Sequence, residues 1–291
     1  MMELNGVINF YKEKGQTSFK AVHQLKRILS VQKIGHTGTL DPLAQGDLPV
    51  CLGKATRTSM YIMDSTKEYL CTMKLGFETD TLDLEGNITR QSKTEIYDEK
   101  RIKNCLKTFI GDTMQIPPAY SAIKINGKKL YQYARNNQEI EIKARPVHID
   151  QIILKNFDKD EISFLVTCEK GTYIRSLCRD IGYGLNSYGT MTELIRQKTG
   201  KFSIDNAHTL EDIIKHVESG TVNSIVENAD DYMKLEVITL NEQERLDYLK
   251  GIKLPVAVKE GEYLIKDTSF FTLGIGVVSH EGMLKSKKRL F

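Results

Sequence analysis

The sequence predicts a mixed α+β fold, one large domain followed by a small, mostly β module. Three observations carry this. Residues 69–76 and 161–168 alternate apolar and polar side chains with the period of two of half-buried strands. Helical patterns and long connections separate these runs, without the regular repetition of a βαβ array. Near residue 230 the pattern shifts to a short helix and short β-like runs, which divides the chain into units 1–230 and 231–291.

The elements follow in order. Residues 6–10 (GVINF) read as a first strand. From Thr17 a helix is expected, with Ser18 as N-cap, Val22, Leu25 and Leu29 on one face and Lys20, Lys26 and Arg27 on the other. In strand 69–76, Tyr69, Cys71, Met73 and Leu75 share a face; in strand 161–168, Ile162, Phe164 and Val166 do. Between them, about 90–150, lies a polar, Lys-rich stretch whose two prolines and Asn126-Gly127-Lys128 mark a turn and a hairpin, the pattern of an inserted subdomain. After strand 161–168, KGTYIRSLCRDIG opens a helix with Ile174, Leu177, Ile181 and Leu185 on its buried stripe and Arg175 off that stripe. In the last unit, Asn241 and Glu244 form a capping box and Gly251 stops the helix.

Charge is nearly balanced, 41 Lys plus Arg against 38 Asp plus Glu, which permits nucleic-acid binding without requiring it. The five cysteines form no CxxC pair, and their odd number argues against a complete disulfide framework. No stretch approaches the roughly 18 apolar residues of a membrane span, and the start lacks a signal-peptide run. A soluble, cytoplasmic protein is expected.

The most informative segment is GHTGTLDP, residues 35–42. It places the carboxylate of Asp41 on a glycine-rich, β-branched stretch closed by Pro42. Rival chemistries fail against the letters. A P-loop needs GxxxxGK followed by Ser or Thr, but Gly46 and Gly53 are separated by six residues and Lys54 precedes Ala55. GHTG fits the GXXG of a KH loop, a two-glycine signal without the flanking helices. Asp80, Asp83 and Glu85 resemble a calcium loop, but EF-hand spacing puts Thr81 first and Ser92 at the closing position. The six histidines are scattered away from the cysteines, which leaves no zinc finger, and GxSxG is absent.

What remains is a carboxylate acting alone. An arginine within a few ångströms would keep Asp41 ionised and aimed, and Arg175 is the best candidate. The competing reading of Arg175 is a solvated helix face, that of Tyr69 a core aromatic, and that of His36 a turn-stabilising side chain.

With GHTGTLDP, KEY, PPAYSAIKINGKKLYQYAR and KGTYIR in this order, the chain closely resembles the bacterial tRNA pseudouridine-55 synthases of the TruB type, from Gly6 to about Phe202. The resemblance implies a pseudouridine-synthase fold with a central, mainly antiparallel sheet and a reduced PUA-like, RNA-binding C-terminal module. It implies that a T-loop uridine of tRNA is flipped into a pocket and its glycosidic bond broken. The base then rotates and rejoins through a ring carbon, without cofactor or metal. A monomer without an obligate protein partner is expected. Asp41 matches the catalytic aspartate, Tyr69 stacks on the flipped base and assists its proton loss, Arg175 pairs with Asp41, His36 fills the vacated space and Leu194 packs on the base. Lys12, Lys20, Lys33, Lys124, Lys128, Lys129 and Arg135, with Tyr120, Tyr131 and Tyr133 among them, would track tRNA phosphates. The sequence departs from the family pattern at Glu13, Phe19, Asp47 and Ile195, where proline, a polar residue, an apolar residue and arginine are usual. The alternative from another class is a non-catalytic tRNA-binding or folding protein using the same surface.

Overall fold

The computed structural model describes residues 4–93, 97–136 and 138–290. Among them, nine strands form one sheet. Its order is Gly6–Lys12, Gln45–Leu52, Gly189–Thr199, Lys67–Leu75, Glu161–Cys168, Arg145–Asp158 and Gly111–Gln115, with Ile34–His36 against Gln45–Leu52 and Phe202–Ser203 against Gly189–Thr199. One pairing is parallel, that of Gln45–Leu52 with Gly189–Thr199; the others are antiparallel. Alternation read from the sequence translates into burial: Cys71, Met73, Leu75, Ile162, Phe164 and Val166 all lie in the main core. The helix Ile174–Gly184 lays its Ile174, Leu177, Ile181 and Leu185 stripe onto that core.

The first helix, Ser18–Ile28, is capped by Thr17, whose side chain accepts from Lys20 N, and not by Ser18. Ser18 is buried instead. Its hydroxyl donates to Leu40 O (2.9 Å) and accepts from Leu40 N (2.8 Å), which ties the helix start to the segment carrying Asp41.

The Lys-rich stretch is not detached as a whole. Helix Glu99–Lys107 sends Ile102, Cys105 and Leu106 into the main core, and Gly111–Gln115 is the edge strand of the sheet. What stands off the sheet is roughly 116–144, with a hairpin of Lys124–Ile125 and Lys128–Lys129 turned by Asn126 and Gly127 at positive φ, then helix Leu130–Arg135.

Beyond residue 230 a second sheet has the order Glu236–Leu240, Gly261–Asp267, Thr272–Val278, Met283–Arg289, Leu254–Pro255. Its helix, Glu242–Lys250, has the Asn241–Glu244 capping box and ends at Gly251 in the left-handed region (φ 86°). Two of its strands share an apolar cluster with the main sheet, where Leu264, Ile275 and Leu290 meet Val7, Cys51 and Phe202. The module is thereby packed onto the large domain. All five cysteines are free and buried, and among the described residues no helix is long and apolar enough to cross a membrane.

Candidate active site

Asp41 lies on the loop between Ile34–His36 and Gln45–Leu52, and the loop is fixed from several sides. Leu40 is held by Ser18; Thr37 N and Oγ1 both donate to Pro49 O; Gly15 N donates to Pro42 O, and Ala44 N to Asp41 O. Gly38 takes a positive φ of 151°, and a Cβ there would stand 3.4 Å from the Arg196 guanidinium. Gly46 is stricter: a Cβ would meet Arg196 O at 2.3 Å, so only glycine lets the loop-bearing strand approach its neighbour.

Arg175 is buried (5% exposed), and the reading of it as a solvated helix face does not hold. The helix buries its stripe on the sheet, and long-range segments cover its first turn. Arg175 Nε lies 2.9 Å from Asp41 Oδ2, Nη1 donates to Thr81 O (2.9 Å) and Nη2 to Tyr120 O (3.0 Å). Asp83 Oδ2 is 3.6 Å from Nη1. One guanidinium therefore joins the Asp41 loop, the 79–86 loop and the segment before the hairpin. Asp83 is itself held, accepting from Thr81 Oγ1 (2.6 Å) and Glu85 N (3.0 Å). The net effect on Asp41 differs from the expectation that arginine lowers its pKa. Burial pushes the carboxyl up, and the pull of Arg175 offsets this only in part, with Asp83 adding to the rise and Lys12 opposing it.

Asp41 and Arg175 line a cavity of about 520 Å³, within the range of small-ligand sites, together with Tyr69, Tyr120, Tyr131, Tyr173, Leu194 and Arg196. Asp41, Tyr69, Arg175, Leu194 and Tyr120 are thus brought together by separate elements. His36 is not in the lining. Its Nδ1 accepts from Gly38 N (3.3 Å), and burial followed by the charge of Arg196 lowers its pKa, which keeps that nitrogen free to accept. Its present geometry is that of a turn-stabilising side chain.

The basic residues fall into two groups. Lys20, Lys33, Lys124, Lys128, Lys129 and Arg135 are exposed. Lys129 and Arg135 flank the Tyr131 ring at 5.6 and 5.4 Å, and Lys124 faces Lys129 across the hairpin. Lys12 does not belong with them. It is fully buried, and its ammonium donates to Ala44 O, Gln16 O and Glu13 O, so it braces the Asp41 loop and presents no charge to a phosphate.

Two residues of the site escaped the sequence reading. Asp83 was set aside with the failed calcium pattern. Arg196, next to the Ile195 departure, is the largest of the fully buried side chains, and its sequence signal was a charge two residues after Leu194, on the same strand face. Asp47 is also fully buried; burial pushes its carboxyl up to about 6, against the Thr199 hydroxyl and the charge of Arg196.

Comparison with known proteins gives the family and the fold. The model of the TruB family pseudouridylate synthase N-terminal domain matches residues 26–174, and that of the tRNA pseudouridylate synthase B C-terminal domain matches 175–234. The chain belongs to the TruB family of pseudouridylate synthases. It is 44% identical over 252 residues to tRNA pseudouridine synthase B of Clostridium perfringens (strain 13 / Type A), covering 86% of this chain and 85% of that one. Against tRNA pseudouridine synthase B of Clostridium novyi (strain NT) the identity is 41% over 290 residues, 99% of this chain and 100% of the other. A chain in the crystal structure of a Cbf5-Nop10-Gar1 complex superposes with a TM-score of 0.77 at 25% identity, covering 99% of this TruB-family chain and 85% of that one. The fold is the pseudouridine-synthase fold with a β-rich C-terminal module.

Proposed function

We propose that this chain is a tRNA pseudouridine synthase that converts uridine 55 of the T-loop to pseudouridine, alone and without metal or cofactor. The observation that carries the reading is the Asp41–Arg175 pair at 2.9 Å in a cavity shared with Tyr69 and Leu194. A glycosidic bond inside a stacked loop is out of reach, so the nucleotide is flipped into the cavity, where Leu194 and the Tyr69 ring hold the base. Asp41 then acts on the flipped uridine, as a nucleophile on sugar or base or in forming a glycal. Arg175 reduces the cost of charging the buried carboxylate and keeps it aimed at the substrate.

After the base has turned, its ring carbon C5 joins the sugar. Tyr69 takes the C5 proton, while His36 moves into the space the base leaves in the T-loop. The exposed lysines and Arg135 of the hairpin and its helix, with the Tyr131 face between them, hold the phosphates of the T-stem-loop. The C-terminal module, PUA-like in this reading, adds RNA contacts in a monomeric, cytoplasmic enzyme.

The test uses an unmodified tRNA transcript with labelled uridines, incubated without added metal or cofactor beside the Asp41→Asn variant. Pseudouridine at position 55 with the wild type alone supports the reading. Tight binding without conversion would instead make the protein an RNA-binding or folding factor.

A further inference from the structure

Arg196 sits beneath the cavity, 1% exposed, on the strand next to that of Tyr69. Its Nε donates to Asp47 O (2.6 Å) and its Nη2 to Gly38 O (3.2 Å), three residues before Asp41. Arg196 and Tyr69 are direct partners in the ladder between Gly189–Thr199 and Lys67–Leu75, and both line the cavity. Among the described residues no carboxylate lies within ion-pairing distance of it. A buried arginine held by carbonyls alone is costly to a fold and leaves its positive charge directed at the cavity.

We infer that Arg196 is a positioning residue of the reaction: it pins the Asp41 loop at Gly38 and, from across the sheet, prepares the Tyr69 oxygen to accept the proton that the base loses. The inference rests on the reading of Tyr69 as the group that takes that proton. In the step concerned, the C5–H bond of the rejoined base breaks and the proton passes to the Tyr69 oxygen as the phenol's own proton moves on to water. The C–H electron pair re-forms the C5–C6 double bond, the pair of the N1–C6 double bond returns to N1, and N1 takes a proton from water. Negative charge developing on a phenol oxygen in a buried cavity needs a cation. Three ionisable groups act on Tyr69 by charge, Arg196 from one neighbouring strand, Cys168 from the other and Asp41 from the loop, while Lys67, Lys170 and Arg175 also line the cavity. Arg196 is the cation of the three that act on Tyr69. Burial raises the Tyr69 pKa, and the charge of Arg196 opposes that rise.

The experiment is single-turnover isomerisation of a tRNA transcript whose target uridine carries hydrogen or deuterium at C5, with Arg196→Gln, Arg196→Lys and Tyr69→Phe beside the wild type. Arg196→Gln is expected to lose about 10²-fold or more in rate, the scale of one lost donor to a developing charge. Arg196→Lys recovers part of that loss, and tRNA affinity stays within about threefold because no phosphate contact is touched. The C5 isotope effect rises above the wild-type value in both variants, since proton loss has become the slower step. A rate loss with an unchanged isotope effect, or a wild-type rate in Arg196→Gln, overturns the inference and leaves the site reading standing. Wild-type turnover by Tyr69→Phe removes the Tyr69 reading and the inference with it. If Arg196→Gln does not fold by circular dichroism, the isotope effect of Arg196→Lys decides by the same criterion.

Discussion

The Asp41 loop and the 116–144 segment both reach the cavity, and they are built in opposite ways. Around Asp41 the bracing side chains have fixed partners: Lys12 on three carbonyls, Ser18 on Leu40, Arg175 on two carbonyls and two carboxylates. The hairpin that follows Tyr120 carries exposed lysines whose ammonium groups contact an aromatic face or solvent. The first region fixes a reacting group to fractions of an ångström before substrate arrives. The second offers mobile charge that adapts to a phosphate backbone.

The sharpest way to break the comparison is at its centre. Asp41→Asn keeps the shape and most hydrogen bonds but removes the charge, and turnover should fall by at least about 10⁴-fold with tRNA affinity nearly unchanged. Wild-type turnover by that variant would remove Asp41 from the chemistry. Arg175→Met comes next. It leaves Asp41 and Asp83 without their shared cation, so the rate should drop about 10³-fold, and stability should fall by about 3–5 kcal/mol, the cost of breaking a buried pair on one side. Asp83→Asn tests the same network more gently. A stability loss in denaturant titration without a rate loss would show Arg175 to be a structural brace only.

How far the sequence reading reached divides along the same line. Strand alternation, the 174–185 stripe, the Asn126-Gly127 turn and the Asn241–Glu244 capping box are local patterns, and each appears in the structure. The burial of Arg175 and Arg196 was not legible, because each is covered by chain remote in sequence. Arg175 is met by Thr81 and Tyr120, Arg196 by Gly38 and Asp47. Lys12 is the last residue of a strand buried at every position but Tyr11, and reading it as a basic surface residue passed over that continuity. Asp83 has no local signature, since its role depends on an arginine more than ninety residues away.

Among the described residues the buried layer also holds a carboxylate that no ion pair serves, and it supplies a smaller effect. Asp47 is fully buried, and burial lifts its carboxyl from 3.8 to about 6. Between those values the folded state binds more protons than the unfolded chain, so stability falls as pH rises through the window and the full penalty is present above it. At about 1.4 kcal/mol per pKa unit the penalty is on the order of 3 kcal/mol. Asp47→Asn should therefore gain about 2–3 kcal/mol near pH 7.5 and far less near pH 4, read by denaturant unfolding at both values. An equal gain at both would show that the carboxylate charge is not the source.

The smallest effect belongs to the hairpin and separates the two regions most cleanly. Lys128 and Lys129 are exposed, on a turn whose register does not depend on their side chains, so replacing either with alanine should leave stability within about 0.5 kcal/mol. If each meets one phosphate, each replacement lowers the slope of log affinity against log salt by about 0.7–0.9, as one fewer counterion is released. Affinity then falls only a few-fold at moderate salt. The single-turnover rate at saturating tRNA should stay at the wild-type value, because nothing around Asp41 has moved. A lowered saturating rate with an unchanged salt slope would mean that the hairpin acts on the geometry of the site and not on the phosphates. The division between a rigid acid and an adaptable grip would then fail at Tyr131, the aromatic that both lines the cavity and carries Lys129 and Arg135 on its ring.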